Sequence, residues 1–155
     1  MSTKITDLNI TSTAFTHEGD IPAKYTCDGE EISPPLAIEF IPDETQTLAL
    51  IVEDPDAPKG VYDHWVVWNI DTTSSIGENT NPGISGKNSG GKTGYQGPCP
   101  PSGSHRYYFN LFALDAWLDL PAGAGKKELE EAMQSHIIAK GSIMGRYQRK
   151  GEHIS

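Results

Sequence analysis

The sequence predicts a mainly β protein, built as a sandwich of antiparallel sheets with a helix. Two observations support this class: short apolar runs alternate with turn-forming residues along most of the chain, and only one segment has helical periodicity. The apolar runs are also spaced irregularly, unlike the alternating strands and helices that build a parallel sheet. A length of 155 residues with 36% hydrophobic content suits one core, so residues 1–155 are predicted to form a single domain.

Strands are predicted over residues 36–40, 47–52, 64–70 and 106–114. The second of these is aliphatic on both faces, as expected for the central strand of a packed sheet. Along the third, the period of two places His64, Val66 and Trp68 on one face. Residues 1–26 contain short apolar alternations that are typical of short strands and turns.

One helix and one long loop interrupt these strands. The helix is predicted over residues 126–139, because apolar side chains recur there at helical spacing and Gly141 supplies a stop. His136 lies on the apolar stripe and is interpreted as a packed helix residue rather than a ligand. Residues 142–149 are predicted to form a closing strand. Half of the chain's 16 glycines fall within residues 77–103, which predicts a long loop and a candidate functional surface.

Charge and hydropathy exclude two classes of partner. The formal net charge of −9 disfavours nonspecific binding to nucleic acids and anionic membranes, because their phosphates repel an acidic chain. The longest aliphatic run, residues 48–52, is too short to span a bilayer, and residues 1–15 lack the apolar core of a signal peptide. These observations predict a cytoplasmic protein with no integral membrane association.

The two cysteines, Cys27 and Cys99, are far apart in sequence and form no CxxC motif, which argues against a thiolate zinc site. A disulfide and a pair of free thiols both fit this count. Reduced thiols are the favoured interpretation for a cytoplasmic protein, because that compartment keeps thiols reduced.

Two polar segments beside apolar strands are predicted to meet and form a binding site. Residues 54–58 have the sequence Asp-Pro-Asp-Ala-Pro, end the central strand and precede His64. Residues 97–107 begin with a bend rich in glycine and proline and carry His105 and Tyr107 on one strand face. Two imidazoles, a phenol and the N–H groups of a glycine bend are donors that suit a small oxyanion such as phosphate. The Asp54 carboxylate is expected to orient one imidazole ring.

Other interpretations of the same residues stay open. Each residue taken alone is also an ordinary turn former or surface residue. Two histidines and a carboxylate can bind iron or zinc, but no ligand pair has metal-site spacing, so no metal or cofactor is predicted. A hydrolase could use Cys99 or a nearby serine with His105 as base, yet Cys99 lies between two prolines and no nucleophile elbow is present. A third alternative is a serine protease inhibitor that acts through an exposed loop.

Seven short motifs occur together along the chain: residues 25–29 (Tyr-Thr-Cys-Asp-Gly), 33–36 (Ser-Pro-Pro-Leu), 54–58, 64–65 (His-Trp), 97–101 (Gly-Pro-Cys-Pro-Pro), 105–107 (His-Arg-Tyr) and 145–147 (Gly-Arg-Tyr), the last at the end of a C-terminal helix. With these motifs the sequence resembles the phosphatidylethanolamine-binding protein family, also called Raf kinase inhibitor protein-like, and especially its short bacterial and archaeal branch. The resemblance covers essentially the whole chain.

The resemblance implies a Greek-key β-sandwich with one or two peripheral helices and a small pocket for phosphate-like anions or the phosphatidylethanolamine headgroup. It implies a non-catalytic regulator that acts on kinases or serine proteases by binding, and the branch suggests a homodimer. It also implies a cis bond between Ala57 and Pro58. Carried over onto this sequence, the ligand-binding residues are Asp54, His64, Gly97, Pro98, His105 and Tyr107, and the site-shaping residues are Asp56 and Pro58.

The chain also departs from the eukaryotic members. It ends at Ser155, without the longer C-terminal extension that partly covers their pocket. A lipid-gating or kinase-inhibitory role is therefore not carried over directly, and residues 77–94 are where partner specificity is expected to differ.

Overall fold

The computed structural model describes residues 4–149, and these residues form nine β-strands, one short 3₁₀ helix and one α-helix. In chain order they are β1 (Thr6–Asp7), β2 (Asn9–Thr11), the 3₁₀ helix (Ala23–Tyr25), β3 (Leu36–Glu39), β4 (Thr47–Asp54), β5 (Tyr62–Asp71), β6 (Ser75–Ile76), β7 (Ile84–Ser85), β8 (His105–Leu114), α1 (Lys126–Met133) and β9 (Ile137–Tyr147).

The strands form two sheets, a large one in the order β1-β9-β8-β4-β5-β7 and a small one in the order β2-β3-β6. Only β1 and β9 pair in parallel among the described strands, and the other pairs are antiparallel. Strands β4, β5 and β7 lie side by side, and β8 returns to the free edge of β4, which is the strand order of a Greek key. The predicted mainly β, antiparallel Greek-key sandwich is confirmed.

Two apolar clusters lie on opposite faces of the large sheet. One fills the space between the two sheets and includes Leu50, Phe109 and Ile38. The other lies between the large sheet and α1, where Leu129 and Met133 pack on the sheet. The large sheet is therefore the middle of three layers and is buried on both faces over much of its area.

Strand β4 is the central strand that its aliphatic sequence predicts. Residues 47–52 are buried on both faces, with alternate side chains in the two clusters. The strand pairs with β5 on one edge and β8 on the other. A strand covered on both faces and both edges is a rigid element, and Asp54 is its last residue.

Strand β5 contains a β-bulge that the sequence period does not reveal. Val52 of β4 pairs with Trp65, and the next residue, Glu53, pairs with Asp63, so His64 is an extra residue in β5. The bulge shifts the alternation of side chains. Val66 packs against the helix side of the sheet, whereas the His64 ring lies 5.2 Å from the ring of Tyr107, whose side chain packs in the inter-sheet cluster. The predicted common face of His64, Val66 and Trp68 is therefore wrong.

The predicted helix over residues 126–139 is correct at its start but ends early, at Met133. Ser135 has a positive φ of 72°, which breaks the helix, and β9 begins at Ile137. Pairing with the edge of β8 outweighs the helical pattern of these residues, because each strand residue gains ladder hydrogen bonds and burial. No helix within residues 4–149 is long and apolar enough to cross a membrane.

Two residues and one strand near this boundary also differ from the prediction. His136 is not on a helix but pairs with Asp115 through its Nδ1 at 2.8 Å. Gly141 is inside β9 rather than a helix stop, and a Cβ at this position would lie 2.3 Å from the Leu8 carbonyl oxygen. The closing strand predicted at 142–149 is confirmed over 142–147, but it begins earlier, at Ile137, and ends at Tyr147. The motif at 145–147 is therefore strand rather than helix.

Residues 77–103 form the predicted loop, apart from the two-residue strand β7. This loop is attached to the body of the protein at several points. Its last part is joined to residues 25–31 by the hydrogen bond from the Cys27 N–H to the Pro98 carbonyl oxygen and by a disulfide between Cys27 and Cys99.

The disulfide corrects the prediction of two reduced thiols. The two cysteines are 72 positions apart in sequence, yet their Cα atoms lie 5.5 Å apart, within the range that a disulfide spans. The sequence does not predict that the two cysteines are close, because they meet only when the loop folds back onto residues 25–31.

The central position of β4 and β8 predicts a large effect of core truncation. Leu111 on β8 is fully buried, so Leu111→Ala should lower the free energy of unfolding by about 2–5 kcal/mol, through lost apolar burial and a cavity. Urea denaturation followed by circular dichroism measures this change. Ile5→Ala is the matched control, because Ile5 is 45% exposed and its truncation should have little effect. Equal losses in the two variants would contradict the assignment of the core.

Candidate functional site

A cavity of about 210 Å³ opens at one edge of the large sheet, where β4 ends and its two antiparallel neighbours, β5 and β8, begin. Each of the three strand ends contributes a polar side chain: Asp54 from β4, His64 from β5 and His105 from β8. The loop at residues 96–101 closes the other side of the cavity. The lining residues are Asp54, Ala57, Pro58, Tyr62, His64, Gln96, Gly97, Cys99, Pro100, Pro101, His105 and Tyr107.

The base of the cavity is formed by a buried pair between Asp54 and His105. The Nδ1 of His105 lies 2.6 Å from Oδ2 of Asp54, and both side chains are less than a tenth exposed. A carboxylate accepts hydrogen bonds, so Nδ1 carries the proton and Nε2 is the other ring nitrogen left for a ligand. The other oxygen, Oδ1 of Asp54, accepts the backbone N–H of Asp56 at 2.7 Å. The carboxylate thereby orients the ring and also closes the following turn.

His64 is held in a similar way by the loop opposite. Its Nδ1–H donates to the Gln96 carbonyl oxygen at 2.7 Å, and its own carbonyl oxygen accepts the Gln96 N–H at 2.9 Å. Because a carbonyl only accepts, Nδ1 of His64 is protonated, and Nε2 makes no hydrogen bond within residues 4–149. Burial lowers the pKa of His64 below its ordinary value of 6.5, which favours the neutral ring.

Tyr107 lies between the two histidines. Its ring is edge-on to His64 at 5.2 Å and stacked on His105 at 6.4 Å between ring centroids. The side chain is 1% exposed, and its hydroxyl makes no well-formed hydrogen bond within residues 4–149. Burial raises the pKa of this phenol, and the charge of the Asp54 carboxylate and a hydrogen-bonding interaction with it raise the pKa further, so the hydroxyl stays protonated. The hydroxyl is therefore a buried donor whose acceptor within the protein, Asp54, is imperfectly placed.

The loop wall of the cavity depends on a close backbone approach. Gly97 lines the cavity, and a Cβ there would lie 2.6 Å from the Tyr25 carbonyl oxygen, so only glycine fits. The Gly97 N–H donates to Glu31 rather than into the cavity, at 3.1 Å. Pro98 is buried behind the wall and does not line the cavity, although its carbonyl oxygen fixes the wall by accepting the Cys27 N–H. The structure therefore places five of the six predicted ligand-binding residues on the cavity.

The two predicted site-shaping residues lie in the turn after β4. Asp56 accepts the backbone N–H of Arg106 at 2.9 Å and binds its guanidinium through both oxygens, which lowers the pKa of Asp56 to about 2. This contact ties the turn to the start of β8. Pro58 lines the cavity.

The expected cis bond between Ala57 and Pro58 is wrong, because residues 4–149 contain no cis peptide bond. The Gly60 N–H donates to the Ala57 carbonyl oxygen at 3.2 Å, which makes Pro58 the second residue of a β-turn. Proline favours this position with a trans bond, whereas cis proline occupies the third position of a turn.

Several lining residues were not predicted. Tyr62 precedes His64 by two positions, and its ring lies 4.9 Å from the His64 ring, so strand alternation could have indicated it. Gln96 contributes its main chain to His64, and no side-chain pattern predicts such a contact. Pro100 and Pro101 belong to the recognised bend, but only the fold shows that they face the cavity.

The donor set decides what this cavity can bind. Asp54 is the one carboxylate in the lining, and no lysine or arginine lines it among the described residues. Arg106 lies next to His105 in sequence, but Asp56 engages its guanidinium. Within residues 4–149, no three His, Cys, Asp or Glu side chains are grouped so that they could hold a metal ion. The groups available to a ligand are therefore the two histidine Nε2 atoms, the Tyr107 hydroxyl and the Gln96 side-chain amide, whose Oε1 already accepts from the Tyr62 hydroxyl at 3.0 Å. Pro58, Pro100 and Pro101 contribute apolar surface to the lining.

Comparison with known proteins assigns the chain to a family. A family model described as phosphatidylethanolamine-binding protein matches residues 11–148. The chain is 47% identical over 150 residues to a UPF0098 protein of Methanothermobacter thermautotrophicus, covering 92% of this chain and 99% of the relative.

Two crystal structures have the same architecture. A phosphatidylethanolamine-binding protein homologue of Chlamydia trachomatis superposes with a TM-score of 0.90 at 42% identity, covering 94% of this chain and 99% of the other. Escherichia coli YbcL, described as a member of the mammalian family, superposes with a TM-score of 0.85 at 26% identity, covering 94% and 100%. Sequence and structure agree along nearly the whole chain, and the protein belongs to the phosphatidylethanolamine-binding protein family.

Proposed function

We propose that the cavity binds a small phosphate-like anion, either free or as part of a phosphorylated headgroup. The observation that carries this proposal is the grouping of the Tyr107 hydroxyl, buried without a well-formed hydrogen bond, with the imidazoles of His64 and His105. An anionic oxygen is a better-placed acceptor for this hydroxyl than the Asp54 carboxylate, and the same ligand can accept from both histidine Nε2 atoms. The apolar rim of prolines then surrounds the uncharged part of a larger ligand.

Binding of an anion here is coupled to proton uptake. Both histidines use Nδ1 as a donor to a protein oxygen, so Nε2 of the neutral ring is an acceptor and repels an anionic oxygen. Each Nε2 becomes a donor only when its ring takes a second proton. The bound anion therefore favours imidazolium, which also offsets the negative charge of Asp54.

We propose a regulatory rather than a catalytic role for this pocket. The described lining contains no serine or threonine, and Cys99 is bonded to Cys27, which leaves no free nucleophile of the kind a covalent hydrolase uses. The anion would act as a signal that a protein partner of the kinase or serine protease type senses.

His105→Gln tests the proposal directly. Removing a charge-assisted hydrogen bond costs about 1.5–3 kcal/mol, so phosphate and phosphoethanolamine should bind roughly 10- to 150-fold more weakly. NMR titration of the histidine ring resonances measures this affinity. His136→Gln is the matched control, because His136 is paired with Asp115 outside the cavity and should leave binding unchanged. Failure of the unmodified protein to show saturable shifts with either anion would overturn the proposal.

Tyr107→Phe separates ligand binding from folding. The hydroxyl makes no well-formed hydrogen bond within residues 4–149, so its removal should weaken phosphate binding by roughly tenfold while changing the unfolding free energy little. Tyr25→Phe should do the reverse, because the Tyr25 hydroxyl donates to Glu78 at 2.6 Å and contributes about 1 kcal/mol to stability. Titration calorimetry and urea denaturation measure the two effects. A loss of stability in Tyr107→Phe without loss of binding would contradict the role of the hydroxyl.

Sulfate affinity should increase as the pH falls. Burial holds the pKa of His64 below 6.5 in the free protein, and a bound anion raises it, so binding takes up protons between the two values. Sulfate keeps its charge over this range, and its affinity should rise by up to about tenfold per pH unit for each proton taken up, as the pH falls from the bound-state pKa of His64 towards its lower free-state pKa. Calorimetry in buffers of different ionisation enthalpy measures the uptake. Sulfate binding that is independent of pH would refute the coupling.

A further inference from the structure

We infer that the Cys27–Cys99 disulfide is a site of thiol–disulfide exchange, at which a dithiol reductant weakens ligand binding in the cavity. The inference rests on the proposed function, because the cavity wall is the part that reduction releases. It starts from the position of Cys99, which lines the cavity and is bonded to a cysteine that does not.

The part of the loop wall formed by Cys99, Pro100 and Pro101 is held by few interactions. None of these residues makes a hydrogen bond within the described part of the chain, and the prolines have no N–H to donate. Pro100 is buried, whereas Cys99 and Pro101 are exposed. The disulfide is thus the one directional link that holds this stretch in place against residues 25–31.

The residues on either side of this wall are held independently of the disulfide. Thr26 is fully buried, and its hydroxyl donates to the Ala23 carbonyl oxygen and accepts the Asp28 N–H. The Tyr95 hydroxyl donates to the Tyr25 carbonyl oxygen at 2.8 Å. His105, on the far side of the wall, is fixed by Asp54. Reduction therefore releases residues 99–101 without removing the hydrogen bonds that hold their surroundings.

The two cysteine residues differ in exposure. Cys99 is exposed and Cys27 is half-buried, so we assign the attack of an external thiolate to the Cys99 sulfur. Exposed disulfides are the ones that exchange readily. The thiolate of a dithiol forms a bond to the Cys99 sulfur as the bond to Cys27 breaks, and the Cys27 thiolate then takes a proton. The second thiol of the dithiol displaces Cys99, so the reductant becomes a disulfide and the protein gains two electrons and two protons.

Release of the wall lowers the affinity of the cavity for the phosphate-like anion, because the binding site is then no longer preformed. With the disulfide intact, Pro100 and Pro101 line the cavity together with Pro58. In the reduced protein, the ligand must restore this arrangement when it binds, and ordering a short segment weakens binding by roughly tenfold. The oxidised, disulfide form of such a dithiol re-forms the bond between Cys27 and Cys99 and so restores the wall.

The test compares phosphate binding by the oxidised and the reduced protein. Native protein is treated with dithiothreitol, free thiols are counted by alkylation and mass spectrometry, and phosphate affinity is measured by NMR in each state. We expect both thiols to become free while the spectrum stays that of a folded protein, with phosphate affinity falling by roughly tenfold and returning on reoxidation.

Cys27→Ser is the matched variant, because it removes the disulfide but no residue of the cavity. It should bind phosphate like the reduced protein, and its affinity should not respond to dithiothreitol. If this variant does not fold, the reduced native protein gives the same comparison.

Three outcomes would overturn the inference. A disulfide that resists dithiothreitol until the protein is unfolded in urea excludes exchange in the native state. Equal phosphate affinity of both states leaves the anion pocket intact but removes its control by the disulfide. Absence of phosphate binding in the oxidised protein refutes the proposed function itself, and the control of the pocket with it.

Discussion

Strand β4 pairs on both edges and is buried on both faces, and the position of the site depends on this constraint. Its neighbours β5 and β8 run antiparallel to it, so the end of β4 meets the beginnings of both neighbours at one edge of the sheet. Asp54, Tyr107 and His105 reach the cavity from this edge. The three side chains are therefore positioned by the most rigid part of the fold, which limits the reorganisation that a ligand must drive.

The cavity combines buried polar groups with very little permanent positive charge. Asp54 and His105 satisfy one another, and His64 is satisfied by the Gln96 carbonyl, so each histidine is oriented before a ligand arrives. The Tyr107 hydroxyl is the exception, because it is buried without a well-formed hydrogen bond. Under the proposed function, this site distinguishes ligands by their acceptors and by their protonation, because the histidine donors appear only when protons are taken up.

The opposite wall follows a different principle. It is a loop, and its positions are set by contacts between residues distant in sequence: the Gly97 backbone against Tyr25, the Cys27 N–H on Pro98, and the disulfide. A rigid strand edge thus faces a loop wall that one covalent bond completes. The strand half is part of the buried core, whereas the disulfide of the loop half joins two residues that lie outside the strands.

The sequence by itself determined the class of fold, the central strand and the segments that form the site, because these depend on local patterns. An aliphatic run on both faces identifies β4, and polar residues at strand ends identify Asp54, His105 and Tyr107. Tertiary structure decided what depends on non-local pairing: the bulge that turns His64 into the cavity, the end of α1 at Met133, the trans bond at Pro58 and the disulfide. A periodic pattern carries no information about a partner strand. It therefore cannot predict the bulge at His64, or the end of α1 where the following residues pair with β8.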